Sequence, residues 1–171
     1  MFLKKRQQAI VRQELTGLRE RLWRFCMMRT NGNKPDADDL FQATALRALE
    51  KAHQFEPGSR FDNWAFTIAV SIWRNELRSR SIRLGQGVED ADEINTGTDG
   101  RGGETNIFAS EVLTRIAALP DAQRMTVMLV YVEGNSYREA ADILDIPIGT
   151  VMSRLATARQ ALKAWAQESE L

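Results

Sequence analysis

The side chains that could do chemistry here are arginines set among aromatics, and hydroxyl residues at helix starts. There is one histidine, His53, and one cysteine, Cys26. Cys26 falls on an apolar helical stripe, where a thiol packs as a small hydrophobe. With no second cysteine and no histidine nearby, an intrachain disulfide and a thiolate or imidazole metal site are excluded. No nucleophile with a base beside it, no phosphate-cradling loop and no metal-ligand cluster is present, so the chain is not expected to be an enzyme and no cofactor is expected. What remains is recognition. Between Phe61 and Arg83, Trp64 and Trp73 alternate with Arg74, Arg78 and Arg80. That mixture suits single-stranded nucleic acid, because bases stack on rings and phosphates pair with guanidinium groups. It equally suits a helix whose tryptophans are core and whose arginines are solvated. From Ser136 to Lys163 the pattern is two helices around a short turn, the form in which a second helix enters the DNA major groove. Spacing alone fits a plain helical hairpin as well.

The elements that must position these residues are all helices. Ser136 and Glu139 make an S-x-x-E capping box, and Tyr137, Ala140, Ala141 and Leu144 follow at helical spacing. Asp145-Ile146-Pro147 interrupts the run, since proline has no amide to donate. Val151, Leu155, Ala158, Leu162 and Trp165 then form the inner face of a second helix. Upstream, residues 2–29 form a long amphipathic helix with Leu15, Leu18, Leu22, Phe25 and Arg29 in line. Thr30 to Pro35 reads as a loop. A helix starting at Asp36 turns Leu40, Phe41, Ala45, Leu49 and Ala52 inward and leaves Asp38, Asp39, Gln42 and Arg47 outward, with acids at its positive end. Phe55 to Ser59 is a turn. A third helix, Phe61 to Arg83, carries two apolar stripes with Thr67, Ser71, Arg74 and Arg78 between them. A helix over 107–118 buries Ile107, Val112, Leu113 and Ile116. Another over 121–133 ends at Gly134. No strand pattern persists, so the fold class is all-α: two small helical domains, residues 1–84 and 107–171, joined by a flexible acidic linker, 85–106.

Charge is uneven along the chain. The total is zero, with 23 Lys and Arg against 23 Asp and Glu. Residues 1–84 nevertheless hold 16 of those cations against 9 acids, and residues 85–106 hold 1 cation against 6 acids. Polyanion binding responds to local patches, so the amino-terminal part is the better partner for nucleic acid. Residues 107–171, with 6 cations and 8 acids, must rely on a few placed side chains. The basic start MFLKKRQQ is followed by no long apolar run, and no stretch reaches membrane-spanning length, so a cytoplasmic protein is expected.

The layout resembles bacterial sigma factors of the extracytoplasmic-function type, the minimal two-domain members of the sigma-70 family. Three stretches carry the resemblance, in the family's order. DADDLFQATALRAL, Asp36 to Leu49, is similar to the conserved-region-2 helix. FDNWAFTIAVSIWRNELRSR, Phe61 to Arg80, is similar to the promoter-melting helix. LPDAQRMTVMLVYVEGNSYREAADILDIPIGTVMSRLATARQALK, from Leu119, is similar to region 4. The resemblance implies a subunit of RNA polymerase that directs promoter-specific initiation. It implies three partners: core RNA polymerase, promoter DNA and an anti-sigma factor. Asp38, Asp39 and Gln42 match the surface that grips a polymerase coiled coil. Ala43 and Ala45 stand there in place of a frequent Glu and Phe, which implies weaker polymerase affinity. The resemblance assigns −10 DNA binding to Phe55, Ser59, Arg60, Trp64, Ser71, Arg74, Asn75, Arg78 and Arg80, with a flipped base held by the loop from Phe55 to Arg60. Ser71 replaces a frequent Asn. It assigns −35 DNA binding to Thr150, Met152, Ser153, Arg154, Ala156, Thr157 and Arg159. Met152, Ala156 and Thr157 replace a cation, an aromatic and an arginine, so an unusual −35 readout is expected. The linker could thread toward the active-centre cleft or serve as a plain tether. Two other readings stay open: a stand-alone DNA-binding regulator, and an interaction protein that has lost promoter recognition.

Overall fold

The structure is a computed structural model that describes residues 2–85 and 107–168, with side chains over 5–85 and 111–167. Apart from Gly85, the acidic linker expected over 85–106 lies outside the described residues. The chain divides into two compact units, 1–88 and 89–171. Every regular element among the described residues is helical.

The first unit is built from α1 (Phe2–Arg29), α2 (Lys34–Glu50), a short 3-10 turn (Ala52–Gln54) and α3 (Phe61–Arg83), and its three helices all pack on one another. Val11, Leu18, Leu22, Phe25 and Cys26 give α1 an apolar inner line that ends at the buried Arg29. Phe25 stacks on Phe66 of α3 with ring centroids 4.4 Å apart. Each such buried side chain is worth about 1.5–3 kcal/mol relative to exposure. The turn after α1 needs two left-handed residues, Asn31 and Gly32. Asparagine and glycine are the residues that tolerate this conformation.

Two expectations for α2 are corrected. The helix starts at Lys34, two residues before Asp36, because the side chain of Asn33 accepts the Asp36 amide and caps the first turn, with Pro35 inside that turn. Its inner face is Ala37, Leu40, Thr44 and Ala48, and Phe41, Ala45 and Leu49 are only half-buried. Thr44 can face the core because its hydroxyl donates to the Leu40 carbonyl at 2.7 Å. The alanines on that face let α1 and α3 approach closely, and Phe41 is displaced to the rim.

The second unit comprises α4 (Ile107–Ala117), α5 (Asp121–Val127), a π-helical turn (Met128–Val132), α6 (Tyr137–Leu144) and α7 (Ile148–Glu168). Helices α5 and α6 both pack on α7, burying Met125, Leu129, Ala140, Ile143, Leu144, Val151, Leu155 and Ala158. Arg124, only 3% exposed, joins α4 to α5. Its guanidinium donates to the carbonyls of Ala117 and Leu119 and to Asp121 Oδ1 at 2.7 Å. It thus satisfies carbonyls that the end of α4 leaves unpaired. Leu113, expected inside, is 51% exposed. The helix expected over 121–133 widens into the π turn, where the Glu133 amide reaches the Met128 carbonyl. Gly134, at φ 71°, then reverses the chain.

Candidate nucleic-acid and partner interface

Each candidate residue can be followed from its helix outward. On α2, Asp39 and Gln42 are exposed, and Asp38 is half-buried. Asp38 Oδ1 accepts a hydrogen bond from Trp23 Nε1 of α1 at 2.9 Å. That bond holds the indole against α2 and closes one side of an open groove of about 700 Å³ lined by Arg19, Glu20, Trp23, Arg24, Asp38, Phe41 and Gln42. Asp38 and Gln42 therefore belong to a surface made by two helices, and Trp23, Phe41, Arg19 and Arg24 are members that sequence reading missed. The available signal was Trp23 itself, a large aromatic lying off the Leu18–Leu22–Phe25 line.

The loop from Phe55 to Arg60 leads into α3. Phe55 is buried, not presented to a ligand. Its ring lies 5.2 Å from Phe61 and 5.3 Å from Trp64, and Phe61 and Trp64 are 5.7 Å apart. Phe55 is therefore the floor on which the loop is built, with Trp64 half-buried at its edge. Above it, Ser59 and Arg60 are exposed, and Ser59 Oγ donates to the Glu56 carbonyl at 2.7 Å. The Arg60 guanidinium donates twice to Asp62, at 3.2 and 2.9 Å. Arg21 of α1 donates to the same carboxylate at 2.9 Å. Burial alone would raise the Asp62 pKa, but the hydrogen bonds from Arg60 and Arg21 outweigh it and hold the carboxyl at about 2.

Along α3, Ser71, Asn75 and Arg78 are exposed and Arg74 is half-buried, so four of the candidate residues share one outward stripe. Arg80 does not join them. It makes a bidentate pair with Asp36 at the start of α2, at 2.8 and 3.0 Å, donates to Glu76 at 2.8 Å, and lies 5.1 Å from the Trp73 ring centroid. The hydrogen bonds to Asp36 and then Glu76 push its pKa upward. Arg80 is a part-exposed clasp between the end of α3 and the start of α2.

In the second unit the turn geometry sets the second helix. The capping box is complete: the Glu139 amide donates to Ser136 Oγ at 3.2 Å and the Ser136 amide to Glu139 at 2.8 Å. Asp145 takes the left-handed conformation, φ 54°, and Pro147 precedes the first residue of α7. On α7, Met152, Ser153, Ala156, Thr157 and Arg159 are exposed, and Thr150 and Arg154 half-buried, so all seven candidate residues sit on or beside its outer face. Arg159 donates to the Tyr131 hydroxyl at 3.3 Å, which draws it toward the π turn.

Residues 15–82 match Sigma-70 region 2, and residues 109–162 match Sigma-70, region 4. The chain is 38% identical over 136 residues to the ECF RNA polymerase sigma factor EcfG of Rhodopseudomonas palustris, covering 78% of this chain and 73% of that protein. The chain belongs to the sigma-70 family, among its ECF members. It is 35% identical to the ECF sigma factor SigC of Mycobacterium tuberculosis over 153 residues, 88% of this chain and 80% of that one. The fold of this sigma factor matches a solved structure of the sigma factor RpoE in complex with the anti-sigma factor NepR from Bartonella quintana. That match has a TM-score of 0.73 at 27% identity, over 91% of this chain and 96% of that one. A sigma factor of this family directs promoter-specific transcription initiation, and it acts as a regulator. No helix among the described residues is long and apolar enough to cross a membrane.

Proposed function

We propose that the first unit of this sigma factor binds core polymerase and melts the −10 element, and that the second unit reads the −35 element. The observation that carries the reading is the outer stripe of α3. Ser71, Arg74, Asn75 and Arg78 lie on one face, while Phe66, Val70, Trp73 and Leu77 are buried behind it. A polar, cationic stripe on a rigid aromatic-backed helix can track a single-stranded backbone without deforming. Ser59 and Arg60 then stand at the mouth of the base pocket, with Phe55 and Trp64 as its support. Extruding a base costs a few kcal/mol, which a preformed loop offsets better than a mobile one.

The polymerase surface is Asp38, Asp39 and Gln42, extended by Trp23 and Phe41 across the groove between α1 and α2. Arg154 and Arg159 contribute phosphate contacts around α7. The protein acts in the cytoplasm, as a polymerase subunit with no catalytic chemistry of its own. An anti-sigma factor is a further partner, by analogy with the sigma factor RpoE, solved in complex with the anti-sigma factor NepR.

Run-off transcription tests the reading. Purified protein with core polymerase is expected to start transcripts at a discrete promoter that core alone ignores, and Trp23→Ala is expected to weaken core binding. Failure to form a stable complex with core polymerase sinks it.

A further inference from the structure

Residues 148–158, the first three turns of α7, contain a single cation, Arg154. The exposed residues in the second and third turns form two rows four residues apart, which is one helical turn. One row is Met152 and Ala156, the other Ser153 and Thr157, and all four are exposed, Met152 to 48%. The first row offers only methyl and thioether surface. The second offers hydroxyls whose protons are already used: Ser153 Oγ donates to the Thr150 carbonyl at 3.0 Å and Thr157 Oγ1 to the Ser153 carbonyl at 3.1 Å. What those oxygens turn outward is lone pairs. Arg159, the next cation along, lies past these rows and is bonded to the Tyr131 hydroxyl, which leaves it to the phosphates rather than to the bases these rows face.

Between Thr150 and Arg154 at its margins, these two rows offer apolar surface and acceptor lone pairs. In the major groove a guanine presents two acceptors, N7 and O6, which meet nothing complementary on these rows, and its cytosine partner presents the N4 donor but no methyl, so the methyl is what separates the pairs. An adenine presents the N6 donor, and its thymine partner presents the C5 methyl beside it. We infer that α7 selects A·T pairs at the upstream element through thymine methyl contacts made by Met152 and Ala156. Ser153 and Thr157 accept from adenine N6, and Arg154 supplies a cationic contact at the edge. This rests on the reading of α7 as the helix that enters the −35 major groove.

The test uses holoenzyme assembled from the full chain and core polymerase, with promoter duplexes randomised across the upstream element. Selected duplexes are expected to carry A·T pairs where α7 docks. Replacing thymine by deoxyuridine at those pairs removes only the methyl, and is expected to weaken binding about fourfold per methyl, the factor that corresponds to one buried carbon. Met152→Ala, at an exposed position, is expected to lose that sensitivity at the pair Met152 faces and to keep it at the pair Ala156 faces. Selection of G·C pairs at those positions, or equal binding of the two duplexes by the unaltered protein, overturns the inference while leaving the −35 reading in place. Absence of any core-dependent upstream enrichment overturns both.

Discussion

At the scale of single residues, Asp62 holds two helices and a loop together through one carboxylate. It accepts from Arg21 of α1 and Arg60 of the loop, both at 2.9 Å, and is itself in the first turn of α3. Its pKa is lowered from 3.8 to about 2, so the folded state prefers the charged form more than the unfolded chain does. Stability from this group is therefore full above the unfolded value near pH 4 and is lost as pH falls toward 2. Asp62→Asn is expected to lower the stability of the first unit at pH 7 by about 1–2 kcal/mol, read as a lower urea midpoint, and to flatten its decline between pH 4 and 2. Tryptophan fluorescence across a pH series, with the unaltered protein alongside, measures both. Asn135 is the opposite case. It is 3% exposed and neither side-chain amide atom has a hydrogen-bond partner. Asn135→Leu keeps the branching and removes both unsatisfied atoms. It is expected to stabilise the second unit by about 1–3 kcal/mol, read as slower amide exchange in α6 and α7.

At the scale of elements, the most informative junction is Leu119-Pro120-Asp121-Ala122-Gln123-Arg124. Read as sequence it marks a helix boundary and a family motif. The structure gives the motif a physical reason, since Arg124 spans the junction and bonds carbonyls of α4 and the acid that opens α5. Removing one member of a buried pair strands the other, so Arg124→Met is expected to destabilise the second unit by about 3–5 kcal/mol. Adding Asp121→Leu to that variant is expected to recover the part of the loss due to the stranded carboxylate and to leave the part due to the Ala117 and Leu119 carbonyls, with α4 and α5 amide exchange as the measurement. The same junction shows how far sequence was readable. Helical periodicity located α1, α3, α6 and α7, and the capping box at Ser136 was legible because its two residues are local. The start of α2 was misread because Asn33 caps it from a stretch that looked like loop. Its inner face was misread because Thr44, polar by type, is satisfied within its own helix and so goes inward. Arg80 read as a ligand contact because its partner Asp36 lies 44 residues away, a distance over which spacing carries no signal.

At the scale of the whole molecule, zero net charge conceals a division of labour. The surplus of cations lies in residues 1–84, and the unit that carries α7 is slightly acidic. Composition made that division legible, but it could not say which cations are available. The folded first unit commits Arg80 to Asp36 and Glu76, and Arg21 with Arg60 to Asp62. Arg78 is exposed on the outer stripe of α3, and under the proposed −10 reading it neutralises a phosphate of the melted strand. Each phosphate contact on a single strand adds about 0.7 to the slope of log affinity against log salt, because it releases a condensed counterion. In holoenzyme bound to a fork-junction promoter with a single-stranded −10 segment, Arg78→Ala is expected to reduce that slope by about 0.7. It is also expected to weaken binding most at low salt. Arg80→Ala is expected to act differently. Its loss releases Asp36 and loosens the packing of α2 against α3, so it lowers the thermal stability of the first unit and leaves the salt slope nearly unchanged. A salt titration of the two variants beside the unaltered protein separates the roles. An Arg80→Ala slope that falls as far as that of Arg78→Ala returns Arg80 to the DNA face.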